Sequence, residues 1–363
     1  MSIKIPINIP IIGDEEIKSV TFALKTGSLT SSDNLGGKFV QEFEKLAAQY
    51  VKSKYAIAVN SGTSALQAAL LALNIKKGDE VLLPSFTFVA TANAIVSTGA
   101  KPVFIDISKN NYTIDPLDLQ KKITKRTKAI IPVHLYGHVS YIEEIIEIAR
   151  KNNLKIIEDA AQSLGSTFKG KHTGTFSDIG CYSLYPAKVM TAGEGGFLVT
   201  NDKKIREKLL MIRNHGMIKG YDTTVFGLNL RMPEISAAIA KEQIKKLPKF
   251  LYKRKKNAKK LTDLISNFDL EIPFERKYEK RNGYLYTIST KNRDKIMKKL
   301  NANGIGAAVY YGIPVHKTPY YKLRTKLKET EWASSHVLSL PIQPLVREID
   351  LVHMANIIEK ETR

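Results

Sequence analysis

Lys188 stands where an amine could be made reactive. It lies in the Pro/Gly-rich connection Ser183-Leu184-Tyr185-Pro186-Ala187-Lys188, which runs on to Thr191-Ala192-Gly193-Glu194-Gly195-Gly196. A lysine just beyond a strand end and before a glycine turn can act as an activated nucleophile. Upstream, an apolar run ends in Glu158-Asp159-Ala160-Ala161-Gln162. A carboxylate leaving a buried strand is costly unless a cation or hydrogen bonds keep it ionised, so Asp159 wants a cation. A third group, Asn60-Ser61-Gly62-Thr63, precedes a helical stretch. Small residues let the backbone approach an anion, hydroxyls add donors, and a helix N-terminus supplies unpaired N–H groups. Each group also has an ordinary reading. Lys188 is one of 44 lysines, Asp159 could cap the next helix, and Ser61 could be a plain N-cap.

Together the groups match the needs of one cofactor. An aldehyde-bearing pyridine ring with a phosphate requires a lysine for a Schiff base, a carboxylate against the ring nitrogen, an aromatic over the ring and an anion cradle at a helix start. Lys188, Asp159, Phe88 and the Ser61, Gly62, Thr63 turn can fill those roles. The carboxylate keeps the ring nitrogen protonated, which makes the ring an electron sink for a carbanion at the substrate's α-carbon. Lys188, once displaced by the incoming amine, is free to move the proton.

Such residues need a scaffold that gathers strand ends. From about residue 55 to 200, short apolar runs alternate with helical stretches, the pattern of parallel strands joined by helical crossovers. Strands are expected at 56–60, 80–83, 101–106, 129–134, 155–158, 180–183 and 195–200, with helices at 64–74, 142–152 and 202–213. This is an α/β fold, a mainly parallel sheet sandwiched by helices, whose ligands gather outside the carboxyl ends of the strands. After about residue 240 the texture becomes long and Lys-rich, with strand candidates at 285–289 and 306–311 and a final helix at 346–360. The expected division is a large cofactor-binding domain over 1–240 and a small C-terminal α+β domain over 241–363.

Composition narrows the function classes. Of 363 residues, 43% are hydrophobic and 25% charged, which excludes a disordered or fibrous chain. The net charge is +21, and residues 241–300 alone carry +12 of it. Lysines outnumber arginines 44 to 12, whereas phosphate-fork and base-edge recognition favours arginine. The surplus therefore reads as a solvated lysine face, and neither a nucleic-acid nor a membrane partner is expected. The single cysteine, Cys181, excludes an internal disulfide framework and a Cys-based zinc site. The opening MSIKIPINIPII has no small-residue cleavage site, and no apolar run approaches the ~18 residues of a membrane span. A cytoplasmic protein is expected.

The motifs resemble those of the sugar aminotransferases of the DegT/DnrJ/EryC1/StrS family, pyridoxal-phosphate enzymes of the aspartate-aminotransferase fold. The matching text includes NSGTSALQAALLAL at 60–73, KKGDEVLLPSFTFVATANAI at 76–95, IIEDAAQSLG at 156–165, CYSLYPAKVMTAGEGGFLVTND at 181–202 and RNHG at 213–216. It continues more weakly through LNLRMPEISAAIA at 228–240, IPVHKTPYY at 313–321 and LSLPIQP at 338–344. The resemblance implies that Lys188 forms the Schiff base with pyridoxal 5'-phosphate and that Asp159 meets the ring nitrogen. It further implies that Gln162 contacts the phenolic oxygen, that Phe88 stacks on the ring, and that Gly62, Thr63 and Ser183, with Ser61, bind the phosphate. Asn229 would reach the phosphate of a neighbouring subunit, which implies a homodimer with shared sites. Thr30, Tyr185, His316 and Tyr320 would face the substrate. The implied reaction moves an amino group from L-glutamate to a nucleotide-linked keto-sugar. Cyclitol and aminobenzoate substrates are the alternatives within the family, and a basic nucleic-acid-binding or regulatory protein on the same fold is the alternative outside it. Ala187 and Val189 depart from the Thr and Asn common beside the lysine, and the loop at 27–38 follows the family only loosely. A dehydratase branch carries histidine at the lysine position; Lys188 is retained here.

Two other patterns lead elsewhere. GSTFKGKH at 165–172 nearly spells a P-loop, but His172 replaces the magnesium-binding Ser/Thr and no strand and helix flank it. His134 and His138 are spaced as metal ligands would be on a helix, yet LYG between them reads as a strand exit, and no metal is expected.

Overall fold

The structure is a computed structural model that describes residues 3–218 and 220–362. Two helices lead the chain, α1 (Asp14–Lys25) and α2 (Lys38–Val51), followed by strand β1 (Tyr55–Val59) and helix α3 (Gly62–Ala72). Next come β2 (Glu80–Pro84), α4 (Ala90–Ser97), β3 (Lys101–Ile105), α5 (Pro116–Lys121), β4 (Thr127–Ile130), α6 (Ile142–Lys151) and β5 (Lys155–Asp159). A hairpin of β6 (Thr167–Phe168) and β7 (Lys171–His172) precedes β8 (Ile179–Ser183), β9 (Gly196–Thr200) and α7 (Lys203–Arg213). The chain continues through the 32-residue α8 (Glu234–Ile265), β10 (Glu279–Lys280), β11 (Tyr286–Ser289), α9 (Arg293–Ala302), α10 (Lys328–His336), β12 (Val337–Leu340) and α11 (Glu348–Thr362).

Seven strands form the main sheet in the order β1-β9-β8-β5-β4-β2-β3. Six run parallel and β9 runs against both of its neighbours, β1 and β8. The expected sheet is thus present, but the strand at 195–200 is not reached by a helical crossover. The connection from Ser183 to Gly196 holds tight turns and no helix, so the chain folds straight back, as an antiparallel return permits and a parallel one does not. This return brings Gly196 between the carboxyl ends of β1 and β8, opposite Val59 on one side and Ser183 on the other.

Helix α3 shows why sequence and position agree. Its residues GTSALQAALLA are apolar nearly all round, and it packs against β8, β9, α4 and α7, so both sides are covered. Ser61 caps it, its Oγ accepting from the Ser64 N–H at 3.1 Å.

Other expectations shift. Helices α1, α2, α4, α5, α9 and α10 were not anticipated. Segment 306–311 is no strand; only Ala308 bridges to Ser339, and β11 pairs instead with β12. Gly306 there donates its N–H to the Ile5 carbonyl at 2.7 Å, beside a single parallel bridge of Ile305 to Ile5. Helix α8 runs unbroken through residues 240 and 241, so the change in texture falls inside a helix. The P-loop look-alike is the β6–β7 hairpin, whose turn residues Lys169 and Gly170 have φ of 50° and 78°, as a two-residue hairpin turn demands. No helix among the described residues is long and apolar enough to cross a membrane.

Candidate active site

The carboxyl ends of β1, β2, β5 and β8 open onto a cavity of about 460 Å³, within the usual range for small-molecule sites. Ser61, Gly62, Thr63, Phe88, Asp159, Gln162, Ser183, Tyr185 and Lys188 all line it. Nine of the thirteen residues singled out from sequence therefore meet in one place, although they come from positions 61 to 188.

Asp159 is the last residue of β5, and its side chain is buried. Its backbone is fixed on both sides, N–H to the Pro132 carbonyl at 2.9 Å and carbonyl to the His134 N–H at 3.0 Å. The carboxylate accepts from the Thr91 hydroxyl at 2.8 Å and from the Ala161 N–H at 3.2 Å. Burial pushes its pKa above the ordinary value, against the pull of those two donors and of the nearby Lys188 and His134. Both hydrogen-bond partners are neutral, so the group still gains from a cation at the cavity wall. A protonated pyridine nitrogen is such a cation, and in this respect the site fits the expected cofactor.

The other wall could hold an anion. Helix α3 starts there with its first N–H groups free of intrahelical partners. The Ser61 hydroxyl is already engaged with Ser64, so Gly62, Thr63 and Ser183 supply the open donors. Close packing makes the glycines necessary. A Cβ on Gly62 would stand 2.8 Å from Ser183 Cβ, and one on Gly196 2.6 Å from the Ser61 carbonyl. Gly62→Ala should therefore push the helix start off Ser183, costing about 1–3 kcal/mol of stability by overpacking. Thermal unfolding with and without pyridoxal phosphate checks this; the expected result is a lowered midpoint that the ligand raises less than in the wild type.

Lys188 is partly buried, its N–H bonded to the Tyr185 carbonyl at 2.8 Å and its Nζ 5.0 Å from the centre of the Tyr284 ring. Gln162 is held at both ends, accepting from the Tyr136 N–H at 2.9 Å and donating to the Tyr311 hydroxyl at 3.0 Å. Phe88, 56% exposed, tilts 36° to Tyr311 with ring centres 6.1 Å apart.

Four expected residues do not line the cavity. His316 is fully buried; the Ser85 hydroxyl accepts from the His316 N–H at 3.1 Å and lies 2.6 Å from its Nδ1, while Nε2 points towards Glu331. That ring is a packing residue between β2 and α10 and is not available to a substrate in this cavity. Tyr320 is 74% exposed and stacks edge-on with Tyr321. Thr30 and Asn229 are exposed, and the Asn229 carbonyl accepts from Asn60 at 3.2 Å. His134 and His138 have separate acidic neighbours, Glu158 at 3.0 Å and Glu279 at 3.4 Å. Sequence reasoning missed Thr91, Tyr284, Tyr310, Tyr311 and Glu194 on the same wall. Thr91 left a trace, a hydroxyl one turn beyond Thr87 in the first turn of α4, and Glu194 stands in the glycine turn that follows Lys188.

Comparison with known proteins places the chain in a family. A UDP-N-acetyl-3-dehydro-alpha-D-glucosamine 3-aminotransferase of Acidithiobacillus ferrooxidans is 38% identical over 303 residues, covering 83% of this chain and 82% of the relative. A dTDP-3-amino-3,4,6-trideoxy-alpha-D-glucose transaminase of Streptomyces venezuelae is 36% identical, with 91% and 89% covered. A crystal structure of a DegT DnrJ EryC1 StrS aminotransferase from Brucella abortus superposes with a TM-score of 0.91 at 31% identity, with 96% and 95% covered. The sequence pattern of one family spans residues 10–359. On that match, and on a cavity that joins a lysine, a buried carboxylate and an anion cradle, the chain belongs to the DegT/DnrJ/EryC1/StrS aminotransferase family.

Proposed function

We propose that this chain transfers an amino group from L-glutamate to the keto group of a nucleotide-linked sugar, with pyridoxal 5'-phosphate held between Lys188 and Asp159. The observation that carries the reading is the convergence of Lys188, Asp159 and the α3 cradle on one cavity. The two relatives named for UDP- and dTDP-linked amino sugars support the sugar substrate.

When bound, the cofactor supplies an aldehyde that condenses with amines and a ring that withdraws electrons from the neighbouring carbon. Asp159, steadied by Thr91 and Ala161, would hold the ring nitrogen protonated. Gln162, pinned by Tyr136 and Tyr311, would meet the phenolic oxygen, and Phe88 would cover the ring. Gly62, Thr63 and Ser183 would bind the phosphate beside the Ser61 cap. Lys188 Nζ would take the proton from the donor's α-carbon and hold it, and with the sugar would give a proton to the carbon that receives the amino group. Tyr185, which lines the cavity, would face the substrate. Asn229 reaches the phosphate in a second copy of the chain, so the active unit is a homodimer with shared sites. The single, buried Cys181 suits a reducing cytoplasmic setting.

The test is a ketone panel presented to protein preloaded with L-glutamate. Nucleotide-linked 3-keto or 4-keto hexoses should restore the visible band of the aldehyde form at least about tenfold faster than a nucleotide-free cyclic ketone. Restoration by the nucleotide-free ketone alone would overturn the sugar reading.

A further inference from the structure

The N-terminal segment crosses the molecule to the loop that carries Lys188. Lys4 and Ile5 donate their N–H groups to the Gly304 carbonyl, and the Gly306 N–H donates to the Ile5 carbonyl, which ties the segment to the end of α9. Asn8 then presents its carboxamide to the lysine loop. Its Nδ2 donates to the Pro186 carbonyl at 3.1 Å and to the Lys188 carbonyl at 3.2 Å. Its Oδ1 accepts from Arg254 Nη2. Further along, the Ile11 carbonyl accepts from Gln243 Nε2 at 2.7 Å, and Gln243 Oε1 accepts from the Thr191 N–H at 3.4 Å. Both ends of the lysine turn are thus fastened from outside it.

Arg254 lies on α8 and is 2% exposed. Its second terminal nitrogen donates to the carbonyls of Gly283 and Tyr284, at 3.4 and 3.3 Å. These partners are all neutral oxygens, a costly setting for a buried guanidinium, and burial pushes its pKa down to about 10. The same arginine therefore holds Asn8, which grips the backbone of Lys188, and the backbone of Tyr284, whose ring faces Lys188 Nζ. Fixing the backbone is worthwhile because a lysine side chain is long and freely rotating, and a misplacement of about 1 Å can cost a reaction about 10²-fold.

We infer that Asn8 and Arg254 are positioning residues for Lys188, acting through the backbone of the lysine turn and through Tyr284. The inference rests on the reading of Lys188 as the reacting amine. Asn8→Asp separates positioning from structure. The carboxylate keeps, as an ion pair, the contact with Arg254, but it turns lone pairs towards two carbonyl oxygens and loses both donors.

The readouts are steady-state kinetics and competitive acetylation of the cofactor-free protein, with Lys188 followed by peptide mass spectrometry against the other lysines. In Asn8→Asp, kcat should fall about 10- to 100-fold with KM changed less than about threefold. The relative acetylation rate of Lys188 should shift by more than about threefold while the unfolding midpoint stays near that of the wild type. Lys188 acetylation within twofold of wild type in Asn8→Asp would overturn the inference. If Asn8→Asp does not fold, Asn8→Ala is read by the same criteria. Acetylation needs neither cofactor nor substrate, so it decides the positioning role even if the wild type transfers no amino group.

Discussion

Asp159→Asn should make the cofactor-free protein more stable and the enzyme at least about 10²-fold slower in kcat. Asparagine matches the carboxylate in shape, can still accept from the Ala161 N–H, and can donate to the Thr91 hydroxyl. What it removes is a charge that burial disfavours. Because the folded-state pKa is raised, the folded chain holds this proton more tightly than the unfolded chain does. The cost of Asp159 is therefore absent below the unfolded value, near 3.8, and grows as pH rises through the raised folded value. Wild-type cofactor-free stability loses that increment on going up in pH, and Asp159→Asn does not. The difference in unfolding midpoint between the two should widen from pH 4 to pH 8, by about 1–1.5 °C for each kcal/mol relieved. With pyridoxal phosphate present the order should reverse, since only the carboxylate can pair with a protonated ring nitrogen. An equal pH dependence in both proteins would contradict the assignment.

Lys188→Arg should abolish the visible absorbance that wild-type protein shows with pyridoxal phosphate, and should lower turnover by at least about 10³-fold. Guanidinium keeps the positive charge beside Asp159 and can rest on the Tyr284 ring, so the fold and the wall of the cavity survive. It cannot act as a neutral amine at ordinary pH, so both attachment and proton movement are lost. Absorbance spectra and unfolding curves of the two proteins, taken side by side, separate loss of chemistry from loss of structure.

What could be read in the sequence was local. Apolar runs that stop at polar residues end the expected strand at Glu158, one residue short of Asp159 at the end of β5, and start the expected helix at Ser64, two residues after the observed start of α3 at Gly62. The substrate residues were less legible. His316 was expected at the sugar, yet contacts with Ser85, 231 residues away, hold its ring in the interior. Thr91 supports Asp159 from 68 residues upstream, and Arg254 reaches Asn8 across 246. Contacts of that span depend on which strands become neighbours, and no local period encodes it. The reversal of β9 was hidden for a related reason. Its composition suits a buried strand of either direction, and the missing crossover helix between Ser183 and Gly196 was the only sign. Helix α8 was cut at residue 240 because its buried, Ala-rich beginning and its Lys-rich continuation differ in composition although they form one element.

The most direct test is borohydride reduction of the wild-type protein incubated with pyridoxal phosphate, followed by peptide mass mapping. With 44 lysines in the chain, unspecific modification has many places to go. Close to one cofactor mass per chain is expected, carried by the peptide that contains Lys188. A label spread over surface lysines, with Lys188 unmodified, would contradict the Lys188 assignment.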